Sequence, residues 1–142
     1  MAGVRRGARA VLKYFIAFYV VAVIVQIFLA GEGIFGAEGS PTDEDESGTL
    51  DPHRGLGFFL TQPIALLLLI VALLAWLPNK RDRILTIALP FILFIQILLA
   101  EAGRWGGAFH PLNAFLILAI LGFLMRQLWR KPVQAAEPAT PV

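Results

Sequence analysis

The sequence predicts an all-α membrane protein, a four-transmembrane-helix bundle built from two pseudo-repeated helical hairpins. Three observations predict it. Of 142 residues, 58% are hydrophobic and 15% charged. That leaves too little polar surface to cover a water-soluble domain, in which about a quarter of residues are charged. Four apolar runs, at 11–30, 56–77, 84–100 and 112–129, have lengths near the ~20 residues a bilayer span requires. Finally, the first half resembles the second. Gln26-Ile-Phe-Leu-Ala is matched by Gln96-Ile-Leu-Leu-Ala. The only two histidines then open the following runs, in Asp51-Pro-His53-Arg-Gly-Leu-Gly57-Phe58 and Ala108-Phe-His110-Pro-Leu-Asn-Ala114-Phe115.

The four-span domain is expected to cover residues 1–131. Its first run, 11–30, follows Arg5, Arg6, Arg9 and Lys13. A basic start before an apolar run also describes a secretory signal, but this run is as long as a full span and no Ala-x-Ala site follows, so a retained helix is expected. Residues 31–51 carry Gly33, Gly36, Gly39, Pro41 and the acidic run Asp43-Glu44-Asp45-Glu46, the composition of an exposed, solvated outer loop.

Pro52 is placed to open the second helix at 56–77. Pro63 lies inside it, where a missing donor and a clash with the Phe59 carbonyl predict a kink and a carbonyl that seeks a partner on another helix. Trp76-Leu-Pro78-Asn79 stops the run, and Lys80-Arg81-Asp82-Arg83 makes a basic turn. The third helix, 84–100, contains Pro90. Glu101 to Phe109, with three glycines, reads as a second polar link. The fourth helix, 112–129, starts after Pro111 and closes on Arg126, Arg130 and Lys131. A Pro/Ala-rich tail at 132–142 is expected to be disordered.

Charge orients the bundle. Both termini and the Lys80 turn collect ten of the twelve basic residues, and the opposite side holds only Arg54 and Arg104. The positive-inside rule places the first side in the cytoplasm of what is expected to be a bacterial plasma membrane. Tyr14, Trp76 and Trp129 then mark the inner interface and Trp105 the outer one.

Polar residues within the runs gather in the outer half: Gln26, Gln96, His53, His110, Asn113, and further down Thr61 and Gln62. Such groups are costly in a bilayer and normally face the bundle interior. Two histidines on two helices at one depth suit a metal with two axial imidazoles, most simply haem b, whose ligands come from facing helices. Gly57 and Ala114, one turn below each histidine, leave room for a flat macrocycle. Arg54 and Arg104 are placed to meet its propionates. Zinc would need oxygens from Asp51, Glu101 or Glu32 besides the two imidazoles. The plainer role of Gln26, Gln96 and Asn113 is interhelical hydrogen bonding. The absence of cysteine excludes disulfides, thiolate metal sites and Cys nucleophiles.

The four-span pattern with a His opening the second and fourth helices resembles one half of the heme A synthase family. His53-Arg54 followed by Gly57 is similar to that family's Glu-x-x-His-Arg stretch, and Gln26 to Gly31 is similar to its end of helix 1. The resemblance covers residues 11 to 130 and implies that His53 and His110 are haem ligands. Where the family has Glu three residues before the histidine, this chain has Leu50, so the resemblance does not extend to oxidation of a haem methyl group. The layout also resembles small bacterial four-span proteins of unassigned activity.

The leading expectation is a b-type haem protein passing electrons near the outer face, with the lipid bilayer and a quinone or redox protein as partners and no nucleic acid. A haem-free structural or accessory subunit is the alternative. A transporter is disfavoured because the inner half offers no polar route. No nucleophile–base constellation points to hydrolysis; other catalysis is left open.

Overall fold

Helices α1 (Ala2–Gly36), α2 (Asp51–Ala75), α3 (Lys80–Glu101) and α4 (Gly103–Trp129) make up the bundle, each long and apolar enough to cross a membrane. The computed structural model describes residues 2–36 and 48–130, and no strand occurs among them. The acidic run at 43–46 and the tail at 132–142 lie outside the described residues. Each helix packs on its sequence neighbour and α4 returns to α1, which leaves α2 and α4 facing each other across the bundle axis.

The buried stripe explains this packing. Leu12, Ile16, Tyr19 and Val23 of α1 alternate steps of four and three, as do Ala65, Leu68, Ala72 and Ala75 of α2. Thr86, Leu89 and Leu93 of α3 and Ile117, Leu121 and Leu124 of α4 keep the same step. This near-3.5 spacing is that of knobs-into-holes bundles. The opposite faces carry large exposed apolar side chains such as Phe28, Leu66, Phe91 and Phe115, as a lipid-facing surface requires.

Continuing the stripe by three residues from Val23 and Leu93 reaches Gln26 and Gln96. Stepping back from Ile117 by three and then four reaches Ala114 and His110. In α2 the count from Gly57 to Ala65 is one residue longer than from Ala114 to Leu121. A π-helical turn, Leu60–Ile64, takes up that extra residue and keeps His53 and Gly57 facing inward. Pro63 lies in this turn, so the expected break is a widened turn. The carbonyl that finds a partner is that of Leu60, not Phe59: Tyr19 donates its hydroxyl to it at 2.8 Å. Thr61 Oγ1 donates to the Gly57 carbonyl at 2.8 Å.

The helices exceed their apolar runs. Residues 31–36, expected in a loop, extend α1. The expected polar link from Glu101 to Phe109 is mostly helix: only Ala102 separates α3 from α4, with Gly103 at φ +65. Gly106 permits this close return, since a Cβ there would collide with the Leu99 carbonyl and Ala102. Pro111 and His110 consequently lie inside α4 and not at its start.

The basic end is fastened by charge. Arg9 donates to the Ala75 and Trp76 carbonyls at 3.0 and 3.2 Å, satisfying the last turn of α2. Trp76 ends that helix in a left-handed conformation at φ 39, with Arg83 stacked over its ring. Asn79 caps α3 by accepting from Arg81 N and Asp82 N. Lys13 stacks on Trp129, which also meets Tyr14 edge-on. Tyr14, Trp76 and Trp129 thus gather at one end, while Trp105 is exposed at the other.

Candidate functional site

A partly open cavity of about 380 Å³ lies in the half of the bundle remote from the basic end, lined by all four helices. His53 from α2 and His110 from α4 both line it, their ring centroids 6.1 Å apart and their planes at 72°. The walls are otherwise mainly apolar, and Tyr19, Leu60 and Thr61 stand at its deeper part.

The two copies of the repeat build the same hydrogen bond. His53 Nδ1 lies 3.0 Å from the Gln26 carbonyl oxygen, and His110 Nδ1 lies 3.0 Å from the Gln96 carbonyl oxygen. A carbonyl only accepts, so Nδ1 carries the proton in each ring. In the neutral imidazole Nε2 is then left with a lone pair. A histidine whose Nδ1–H is held by a backbone carbonyl is the usual form of a metal ligand. Two imidazoles sharing one metal at about 2 Å from each Nε2 have ring centroids roughly 6–6.5 Å apart, and the observed spacing falls there.

The glutamine side chains differ. Gln96 Nε2 donates to the His110 carbonyl at 3.0 Å, and Gln96 Oε1 accepts from Asn113 Nδ2 at 2.7 Å. Asn113 also donates to the Ile92 carbonyl at 3.2 Å. In the first copy the residue at the Asn113 position is Leu56, and Gln26 Oε1 is buried without a partner. Gly57 accommodates the Gln26 amide, whose Nε2 would lie 3.0 Å from a Cβ at that position.

Of the residues singled out in the sequence, His53, His110, Gln26, Gln96, Gly57, Ala114 and Arg54 come together on the cavity wall. Arg54 is half-exposed and lies 4.0 Å from Asp51. Two other residues expected at the site lie off the wall. Arg104 does not line the cavity; it is exposed and stacks on Trp105, because the helix begins at Gly103 and turns it outward. Asn113 does not reach the cavity either: it stands behind Gln96 and bonds α4 to α3. Gln62 is half-buried off the wall. No group of three His, Asp or Glu side chains gathers among the described residues, so Asp51, Glu101 and Glu32 do not complete a zinc site with the histidines. Tyr19 was not expected in the site; Thr61, expected in the polar half, lines it. The step of the α1 stripe through Leu12 and Ile16 carries the signal for Tyr19.

The family of unknown function DUF6220 matches residues 26–103, more than half of the chain, a span that includes Gln26, His53 and Gln96 and ends before His110. No curated protein and no solved structure matches.

Proposed function

For this chain, which belongs to the DUF6220 family of unknown function, we propose a b-type haem-binding integral membrane protein that passes electrons near the outer face of a bacterial plasma membrane. The observation that carries this reading is the matched pair of histidines. Each is held at Nδ1 by a repeat-equivalent glutamine carbonyl, each lines one cavity, and the ring separation suits a single shared metal.

That no third ligand joins the two histidines among the described residues fits this reading, because a porphyrin brings four donors of its own and asks the protein for two. Haem would supply one-electron chemistry at the iron. His53 and His110 would present Nε2 to it, with the Gln26 and Gln96 carbonyls fixing tautomer and ring orientation. The Val23, Leu93 and Ile117 side chains on the wall would exclude water and so raise the importance of the ligands' hydrogen bonds for the potential. Arg54 at the rim suits one propionate. The electron partner would be a quinone or a redox protein reaching the same end of the bundle.

The basic end, with Arg5, Arg6, Arg9, Lys13, the Lys80 turn and Arg126, would lie in the cytoplasm together with both termini. One observation favours the alternative, a haem-free structural subunit: Asn113, Gln96 and His110 already satisfy one another across α3 and α4.

Visible spectra of the purified protein, oxidised and dithionite-reduced, test the choice on wild type, His53→Ala and His110→Ala. The haem reading expects a Soret band and narrow reduced bands in the wild type, with the narrow bands lost in either variant. A featureless spectrum from well-folded protein expressed with haem supplied leaves the structural subunit.

A further inference from the structure

The bundle holds its two histidines unequally. The Gln96 carbonyl takes the His110 Nδ1–H, the Gln96 amide returns a bond to the His110 carbonyl, and Asn113 closes the network from one turn along. These bonds pin α4 to α3 on both sides of the imidazole, within a continuous 27-residue helix. His53 has the Gln26 carbonyl alone. Leu56 offers no donor where Asn113 does, and the Gln26 side-chain oxygen stays buried and unpartnered, which destabilises the arrangement on that side. The segment that carries His53, Asp51–Phe59, is nine residues long, has no side-chain cap at its start and ends on the π turn.

Resting on the haem reading above, we infer that His53 is the exchangeable ligand and that the cavity takes a small neutral diatomic molecule on the His53 side of the metal while His110 stays bound. The exchange breaks the bond from the metal to His53 Nε2 and makes one to the incoming donor atom. The imidazole recovers its lone pair, and neither electron nor proton is transferred. Ile27 and Phe58 line the same cavity as His53, and Arg54 is the cation on that side; with Arg54 given to a propionate, the apolar lining favours a neutral ligand over an anion.

The test is a carbon monoxide titration of the haem-loaded, dithionite-reduced full chain, followed at the Soret band. Wild type is expected to bind carbon monoxide with loss of the bis-histidine spectrum. Leu56→Asn, which offers Gln26 Oε1 the missing N–H, is expected to weaken that binding about fivefold, the net worth of one hydrogen bond. His53→Ala is expected to keep haem on His110 and to bind carbon monoxide more tightly than wild type. A haem-loaded wild type whose Soret band does not move at saturating carbon monoxide overturns the inference. So does a His53→Ala variant that loses haem while His110→Ala keeps it. A wild type that takes up no haem is a different outcome: it removes the proposed function itself and the inference with it.

Discussion

Asn113 Nδ2 donates to Gln96 Oε1 at 2.7 Å, joining α4 to α3 beside His110. The pair gives both ends of the Gln96 amide a partner, since its Nε2 donates to the His110 carbonyl. A polar side chain in a bilayer-spanning bundle is tolerated when its bonds close inside the protein. The same glutamine in the first copy lacks that closure, and the difference of one residue, Asn113 against Leu56, is therefore measurable.

Asn113→Leu removes two donors' bonds and orphans Gln96 Oε1. It is expected to destabilise the folded protein by about 1–2 kcal/mol, the upper part of the range for interhelical hydrogen bonds in membranes. Unfolding in a mixed micelle, followed by circular dichroism against denaturing detergent fraction, checks this. Leu56→Asn is expected to shift stability the opposite way; equal losses in the two variants would contradict the closure argument.

Tyr19 and Pro63 are coupled through the π turn. The Tyr19 hydroxyl, fully buried, bonds the Leu60 carbonyl in the turn that contains Pro63. Tyr19→Phe is expected to cost about 1 kcal/mol in the wild-type background. In a Pro63→Ala background, where the π turn can tighten and return the Leu60 carbonyl to the α-helical ladder, the same substitution is expected to cost less by about 0.5 kcal/mol or more. A double-mutant cycle in the same unfolding assay gives the coupling, and a coupling of zero would mean the hydroxyl does not serve the turn.

The bundle was legible because apolar runs of span length and the basic clustering have one physical cause, the bilayer, and both survive in a bare sequence. The convergence of His53, His110 and the two glutamines was legible from the repeat. Side-chain direction was not. Arg104 was expected at the site because Glu101 to Phe109 looks like a polar loop, yet Gly103 and Gly106 let α4 begin almost at the end of α3 and turn the arginine away. Asn113 shares a helix face with His110, but whether it meets the cavity or the neighbouring helix depends on the rotation of α4 by a fraction of a turn. The π turn was hidden too: a proline predicts a disturbance, and only the position of Leu68 relative to Gly57 reveals that one extra residue is absorbed.

Two neighbouring glycines should respond in opposite directions. A Cβ at Gly106 would meet the Leu99 carbonyl and Ala102, both in the tight return from α3 to α4, whereas a Cβ at Gly107 meets nothing within 4 Å. Gly106→Ala is expected to destabilise by about 1–3 kcal/mol through overpacking. Gly107→Ala, in an open helical position, is expected to stabilise by roughly 0.5 kcal/mol through reduced freedom of the unfolded chain. Thermal scans of both variants, compared with wild type, separate the effects; a benign Gly106→Ala would show that the α3–α4 return is looser than the geometry requires.

Orientation can be read directly because the chain has no cysteine. Single substitutions Lys80→Cys, at the basic turn, and Gly107→Cys, in the exposed first turns of α4, lie at opposite ends of α3 and its return. With the basic end in the cytoplasm, a membrane-impermeant maleimide applied to intact cells is expected to label Gly107→Cys and to reach Lys80→Cys only after permeabilisation. The physical ground is the concentration of Arg9, Lys13, Arg81, Arg83 and Arg126 at one end, since moving each across the bilayer costs far more than leaving it in place. The reverse labelling pattern would turn the histidine cavity toward the cytoplasm. Any electron partner would then be sought on the inner side, and Arg54 would face a cytoplasmic donor in place of an external one.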